Sequence, residues 1–275
     1  MRVRGADLAG GSAGTGPDAR TAGDGGTPPA PVAVTALGRL RPRLAAAGLG
    51  LGLAHTGEPG LGPAGPAEAS AAAAMAPGRR REFLAGREAA RRALRAVGVD
   101  CGDIPRAGRL PVFPPGRAAS ISHSAGVAVA VARAPGDDAP LGCDLELRPL
   151  PRDAARLVLG PDEEPLLGPT AGARGEPWSL TALFSAKEAA WKALHLAPGR
   201  VGAAPVRTLR DLRAEPCGDA LRIGPRSRPR GGADAGQPCG VRVRVLPVGA
   251  GVFSYAPAWA DTDGRSTPAP TARRS

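Results

Sequence analysis

The sequence predicts a mixed fold, α/β or α+β in class, with strands and helices interleaved in two successive rounds. Three observations lead there. Leu49–Ala54, Val127–Val131 and Leu141–Leu147 combine leucine or β-branched residues with small ones over short spans, as strands do. Residues 79–97 and 177–194 instead carry apolar side chains at helical spacing. Strand-like runs then resume beyond the second helix. At 275 residues the chain can hold one large domain or two small ones.

Along the chain, residues 1–31 are Gly, Ala, Asp, Thr and Pro with almost no large apolar side chain, and 261–275 read alike. Both are expected to be disordered, because they cannot bury enough surface to offset the entropy of ordering. About 215 foldable residues remain, a size for one or two domains. Leu49–Ala54, alternating Leu with Gly, is the first strand, and a Gly/Pro loop runs on through Pro66. A short alanine-rich helix spans 67–75 and ends at Pro77. The next helix, over 79–97, has apolar residues at 83, 90, 94 and 97, with Gly98 as its stop. Pro105–Gly116 is a loop, and Ser120-Ile-Ser-His-Ser-Ala-Gly126 leads from it into the strand Val127–Val131. Asp137, Asp138 and Pro140 make a turn, and Leu141–Leu147 is a second strand of the same neighbourhood. Helical signals return over 152–159 and 161–167. The long helix starts near Pro177, a favoured first-turn residue, and aligns Leu180, Leu183, Phe184, Trp191 and Leu194 on one stripe. Beyond Pro198 come Val206–Leu212 and three strand-like runs, Ala220–Ile223, Val241–Leu246 and Val252–Tyr255. Gly224–Gln237 reads as a loop inserted between two strands.

The formal charge of +11 fits a polyanion, an acidic protein partner or a multiply phosphorylated small molecule. Nucleic acid is the weakest of these. The arginines are scattered, and they come with no stacking platform and no zinc-finger spacing. Cys101, Cys143, Cys217 and Cys239 form no CxxC, and no apolar run approaches the ~18–20 residues of a membrane span. With no signal segment at the start, the protein is expected to be cytoplasmic with free thiols. His55, His123 and His195 lack metal-ligand spacing.

Only two lysines occur, Lys187 and Lys192, against 34 arginines, and both flank Glu188. A composition this rich in Ala, Gly, Arg and Pro writes positive charge as arginine. The two lysines therefore point to places where a compact, tunable ammonium serves and a guanidinium fork does not. Glu188 and Lys192 read equally as an ordinary helical ion pair. Asp144 and Glu146, two apart on a strand, direct both carboxylates from one face. Such hard oxygens suit Mg2+ completed by phosphate oxygens, although a lone D-x-E reads first as a solvated acidic face. Ser185 and Glu188 match a helix-capping box, weakened by the apolar stripe that already begins at Leu180. His123 alone reads as a structural histidine, and Arg79, Arg80, Arg81 and Arg87 as a wet helix face.

Four motifs in order carry more than any one of them. They are GR-x-x-A-x-x-AL at 86–94, S-I-S-H at 120–123, G-x-D-x-E at 142–146 and F-S-x-K-E-A-x-x-K-A at 184–193. Over residues 77–195 this succession resembles the 4′-phosphopantetheinyl transferases, of the larger single-chain type serving siderophore, polyketide and nonribosomal-peptide synthesis. The resemblance implies an α+β, α/β sandwich-like pseudodimer of two similar halves, each a small antiparallel sheet packed on a long helix, binding coenzyme A in the cleft between them. The chain would divide into a disordered tail (1–31), an N-terminal half (32–138) with the basic helix and Ser-His loop, a C-terminal half (139–260) with the metal carboxylates and catalytic helix, and a second tail (261–275).

Carried onto this sequence, the resemblance implies that Asp144, Glu146 and Glu188 hold Mg2+ together with the coenzyme A pyrophosphate. Arg79 and Arg87 would reach the phosphates, the 3′-phosphate included, and Arg106 would contact the nucleotide. Ser122 and His123 would touch the phosphates, and Lys192 the pyrophosphate. Glu188 would accept the proton of a carrier serine, and Lys192 would stabilise charge on the departing oxygen. The implied partners are acidic acyl- or peptidyl-carrier domains of polyketide, nonribosomal-peptide or fatty acid synthases, with no nucleic acid, no membrane and a monomeric enzyme. Phe113 stands where Trp is usual, Ala119 where Gly is common, and 224–237 has no counterpart. The rival from another class is a basic nucleic-acid or polyanion-binding protein without catalysis.

Overall fold

The structure is a computed structural model that describes residues 30–136, 139–168, 177–195, 206–226 and 240–260. The turn residues Asp137 and Asp138, most of the expected tails and most of the 224–237 stretch lie outside the described residues.

Two short helices, α1 (Ala30–Gly38) and α2 (Arg41–Ala45), precede β1 (Leu49–His55). They carry no periodic signal of their own. Burial of Ala33, Leu37 and Leu44 against the strands holds them, and α1 begins inside the segment expected to be a tail. There follow α3 (Pro66–Ala73), α4 (Pro77–Arg95), a minimal hairpin of β2 (Arg106–Ala107) and β3 (Leu110–Pro111), β4 (Ala119–Ser124), β5 (Val127–Arg133) and β6 (Gly142–Glu146). Short 3₁₀ turns and α5 (Ala155–Val158) lead to α6 (Leu180–His195). The chain closes with β7 (Leu212–Cys217), β8 (Ala220–Pro225), β9 (Val241–Val248) and β10 (Gly251–Trp259).

Apart from the β2–β3 hairpin, the strands among the described residues form two antiparallel sheets, ordered β1-β5-β4 and β6-β10-β9-β8-β7, an α+β arrangement. Helix α4 covers one face of the first sheet and α6 one face of the second. The alternation Val-Ala-Val-Ala-Val-Ala of β5 follows from this. Val127, Val129 and Val131 face a core shared with Cys143, Leu145, Leu147, Phe253 and Tyr255 of the second sheet. Ala128, Ala130 and Ala132 face α4, where only a methyl fits. Two glycines set the helix distances. A Cβ on Gly52 would collide with the Ala89 carbonyl and the Ala93 amide of α4, and one on Gly142 with the Ala189 carbonyl and the Ala193 amide of α6.

Strand β6, read as a strand in the neighbourhood of β5, opens the second sheet, pairing with β10. Its other edge meets β4 through side chains rather than a backbone ladder. The amides of Cys143, Leu145 and Leu147 donate to the hydroxyls of Ser120 (3.0 Å), Ser122 (3.3 Å) and Ser124 (3.0 Å). Thus Ser120–Ser124, read as the run-up to a strand, is itself most of β4, and its alternate serines satisfy an edge that would otherwise carry buried orphan amides. Strand β7 contains Pro216 and lies at the sheet's outer edge, where a residue without an N–H is tolerated.

Candidate active site

The seam between β4 and β6 lies beside α6, and there the acidic and lysine residues gather. Lys192, near the C-terminal end of α6, donates to Asp144 Oδ1 (2.7 Å), to the Cys143 carbonyl (3.1 Å) and to Ser122 Oγ (3.3 Å). Ser122 donates in turn to Asp144 Oδ1 at 2.9 Å. Asp144 is 4 % exposed, and its Oδ2 is buried with no hydrogen-bond partner among the described residues. Glu146 points from the same face of β6, two residues on, as the strand period requires. Burial, reinforced by the charge of Asp144, lifts its carboxyl to about 8. Glu188 is held above the ordinary glutamate range, again mainly by burial, with Asp144 adding to the rise. Burial works against the charge of Lys192, but Asp144 and Glu188 outweigh it and strengthen its hold on the proton.

Glu188 sits in the third turn of α6, so the capping-box reading falls away. Lys187 lies on the other side of that helix, fully buried. Its ammonium donates to Glu163 Oε2 (2.7 Å), the Val158 carbonyl (2.8 Å) and the Leu212 carbonyl (3.1 Å), one acceptor for each proton. Glu163 also accepts from the amides of Gly160 and Ala214 and pairs with Arg226. One lysine of the pair therefore belongs to the site and the other to the scaffold that anchors α6. Removing either member of the buried Lys187–Glu163 pair would cost ~3–5 kcal/mol, through the charge left behind.

The basic residues fall into two groups. Arg79, in the exposed first turn of α4, donates to His123 Nε2 at 2.9 Å and pairs with Glu82. His123 is kept below its usual range, first by burial, and feels the charges of Glu82, Arg79, Lys192 and Asp144, which places it at the rim of the acidic cluster. Arg87 is buried further along α4. It donates to the Ile104 carbonyl (2.9 Å), stacks on Phe83 (4.6 Å to the ring centre) and is pushed down to about 10, mainly by burial, with Arg106 repelling it. Arg106 itself is exposed and donates to the Gly108 carbonyl at 2.6 Å. The structure thus brings Ser122, His123, Arg79, Asp144, Glu146, Glu188 and Lys192 together, with Arg87 and Arg106 as a second basic pair.

Among the described residues, no group of three His, Cys, Asp or Glu side chains is gathered in a way that could hold a metal ion. Asp144 raises the proton affinity of Glu146 and Glu188, Glu188 adds to the rise at Glu146, and the Lys192 ammonium takes one oxygen of Asp144. The chemistry of the donor set nonetheless suits a hard divalent cation. Three carboxylates share one lysine, one carboxylate oxygen is buried without a partner, and Mg2+ commonly takes only one or two protein carboxylates. Sequence reasoning passed over Ser120 and Ser124, although the Ser-x-Ser-x-Ser spacing places all three serines on one strand face.

Two sheets joined at a serine seam, with buried carboxylates and a lysine on one side and a basic helix on the other, define an α+β protein in which acidic and basic side chains gather at one place. Residues 67–133 match the family model described as the 4′-phosphopantetheinyl transferase N-terminal domain, a similarity in line with the resemblance drawn from the motifs, two of which lie in that span. The chain is 39 % identical over 120 residues to enterobactin synthase component D of Salmonella typhi, covering 42 % of this chain and 48 % of the relative. It is 38 % identical over 131 residues to the 4′-phosphopantetheinyl transferase Svp of Streptomyces mobaraensis, covering 46 % and 53 %. The component D of Salmonella typhimurium is similar to the same degree, 39 % over 120 residues. The matched stretches span about half the length of these curated relatives.

No helix among the described residues is long and apolar enough to cross a membrane. Cys101, Cys143 and Cys217 are free thiols.

Proposed function

We propose that the protein is a 4′-phosphopantetheinyl transferase that moves the phosphopantetheine arm of coenzyme A onto a serine of an acyl- or peptidyl-carrier domain, with Mg2+ as cofactor. One observation carries this reading. Lys192 links Asp144 to Ser122 across the seam, beside Glu146 and Glu188, in a chain whose residues 67–133 match the transferase N-terminal domain.

The two halves are read as a pseudodimer. In each, a strand is followed by a long helix, and the half ends on a hairpin (β4–β5, β9–β10) whose second strand returns beside the first. Residues pair off in order: Gly52 with Gly142, Ala89 and Ala93 with Ala189 and Ala193, Glu88 with Glu188. Arg92 donates to the Leu53 carbonyl as Lys192 donates to that of Cys143.

Asp144, Glu146 and Glu188 would hold the Mg2+ ion, which when bound neutralises pyrophosphate charge. Lys192, firmly protonated, would meet the same pyrophosphate from the cluster's edge. Arg79, Ser122 and His123 would fix phosphate oxygens, with Arg87 and Arg106 serving the nucleotide and its 3′-phosphate. In the transfer, the carrier serine oxygen forms a bond to the β-phosphorus, and the bond from that phosphorus to the bridging oxygen breaks. The electron pair leaves on adenosine 3′,5′-bisphosphate, and the serine proton passes to Glu188. Burial raises the proton affinity of the Glu188 carboxyl, which makes it a stronger proton acceptor. A chain supplying both halves would act as a monomer, and free thiols suit the reducing cytoplasm.

The test is incubation with an apo carrier domain, coenzyme A and Mg2+, read by intact mass for the phosphopantetheine increment. Glu188→Gln and Asp144→Ala should abolish the increment while the far-UV circular dichroism stays native. Full activity in both variants would remove these residues from the mechanism, and no increment with the unaltered chain on any carrier would remove the reaction.

A further inference from the structure

The arginines along α4 differ in how they are paired. Among the described residues, Arg91 and Arg92 meet Glu68, Glu88 and Glu58, whereas Arg87, 6 % exposed, meets no carboxylate. Its Nε donates to the Ile104 carbonyl at 2.9 Å, and both Nη groups are left without an acceptor among the described residues. A guanidinium buried without a counter-ion is costly, and an anionic ligand offsets that cost. The two carboxylates whose charge reaches it, Glu68 and Asp103, are committed to other donors. Asp103 accepts the amides of Ala67 (2.8 Å) and Glu68 (3.0 Å) in the first turn of α3, and so caps that helix from a distant segment. Glu68, fully buried, accepts the amides of Ile104 (3.0 Å) and Ala64 (3.0 Å) and pairs with Arg91 (2.7 Å). Helix α3 and the Asp103–Ile104 segment therefore hold each other, and Ile104 holds Arg87. The approach is close: a Cβ on Gly65 would lie 2.7 Å from the Asp103 Cβ.

We infer that Asp103 is a positioning residue, clamping Ile104 to α3 so that the Arg87 guanidinium is aimed at the 3′-phosphate of the nucleotide. This rests on the reading of Arg87 as a phosphate contact. The physical argument is orientation. A guanidinium is a planar fork, and fixing its Nε sets the plane in which its remaining donors lie. Paired hydrogen bonds to a phosphate depend on that plane. A purely structural cap would instead add only to the stability of α3.

The two roles separate in calorimetric titrations of the full chain with coenzyme A and with 3′-dephospho-coenzyme A, both in Mg2+. The unaltered chain should bind coenzyme A the more tightly, and Arg87→Ala should erase that preference. Asp103→Ala should weaken coenzyme A binding about tenfold while the affinity for the dephospho form stays within about twofold. Gly65→Ala, which displaces the same carboxylate without removing it, should repeat this selective loss. Asp103→Asn, which keeps one amide acceptor, should recover part of it. Equal losses for both ligands, or no loss for either, in Asp103→Ala and Gly65→Ala would overturn the inference while leaving Arg87 as a phosphate contact. A preference that survives Arg87→Ala, or an unaltered chain with none, would overturn the reading of Arg87 first, and this inference with it.

Discussion

At the scale of single residues, an arginine and a lysine make the same kind of contact in two places: Arg92 of α4 donates to the Leu53 carbonyl and Lys192 of α6 to that of Cys143. The Arg92 fork reaches the Leu53 carbonyl, Glu58 and Glu88 at once and fills the space beside the strand. Lys192 makes the matching carbonyl bond with a single ammonium and leaves Glu188 partly exposed. Lys192→Arg is therefore expected to preserve folding but to lower turnover about a hundredfold, the scale of an ångström-size misplacement. A rate near that of the unaltered enzyme would mean that the fork fits after all. Glu146 gives a second expectation. Its carboxyl, lifted from 4.5 to about 8, binds a proton more readily folded than unfolded, so it contributes stability at low pH that is lost as pH rises through that window. His123, lowered from 6.5 by burial, acts in the opposite sense below 6.5, so the carboxylate effect stands clear between 6.5 and about 8. Thermal midpoints in a chelator should fall across that interval, and added Mg2+ should flatten the fall. Identical curves with and without Mg2+ would contradict a cation at these carboxylates.

At the scale of elements, site geometry depends on how closely α6 rides on β6. Gly142 allows contact between its strand and the backbone of Ala189 and Ala193, and this brings Lys192 within reach of Asp144. Gly142→Ala should push the helix away, costing ~1–3 kcal/mol in stability by overpacking and most of the activity. Gly52→Ala, under α4, should cost similar stability and far less activity, because the acidic cluster lies on β6 and α6. Urea denaturation and the carrier assay read the two effects separately. Equal activity losses would mean that the helix position does not control the site. The Lys187 hub supports the same placement from behind, tying α6 to the turn at Glu163 and to the start of β7.

At the scale of the whole molecule, the formal charge of +11 is displayed in part on the exposed Arg79, Arg80 and Arg81, next to His123. An acidic carrier would be drawn to that side, and the attraction would fade as salt shortens its range from about 30 Å at 0.01 M to about 8 Å at 0.15 M. The KM for an acidic carrier domain should rise several-fold across that range, with kcat little changed. A KM indifferent to salt would separate the charge from carrier recognition.

Most elements of this fold were legible from local composition or period. Alternation marked β1, short runs of leucine, β-branched and small residues marked β5, β6, β8, β9 and β10, and the 3.6-residue stripe marked α4 and α6. The motif residues Ser122, His123, Asp144, Glu188 and Lys192 were legible by type and order. Periodicity describes one element at a time, however, and cannot say what lies across from it. Only the tertiary structure decided that β6 joins the second sheet, that Leu37 and Leu44 hold two short helices in place, and that Lys187 serves the scaffold while Lys192 serves the site. Only there did Ser120 and Ser124 acquire partners. Which amide or carboxylate a hydroxyl meets depends on residues some twenty positions away, brought near by burial that no local pattern records.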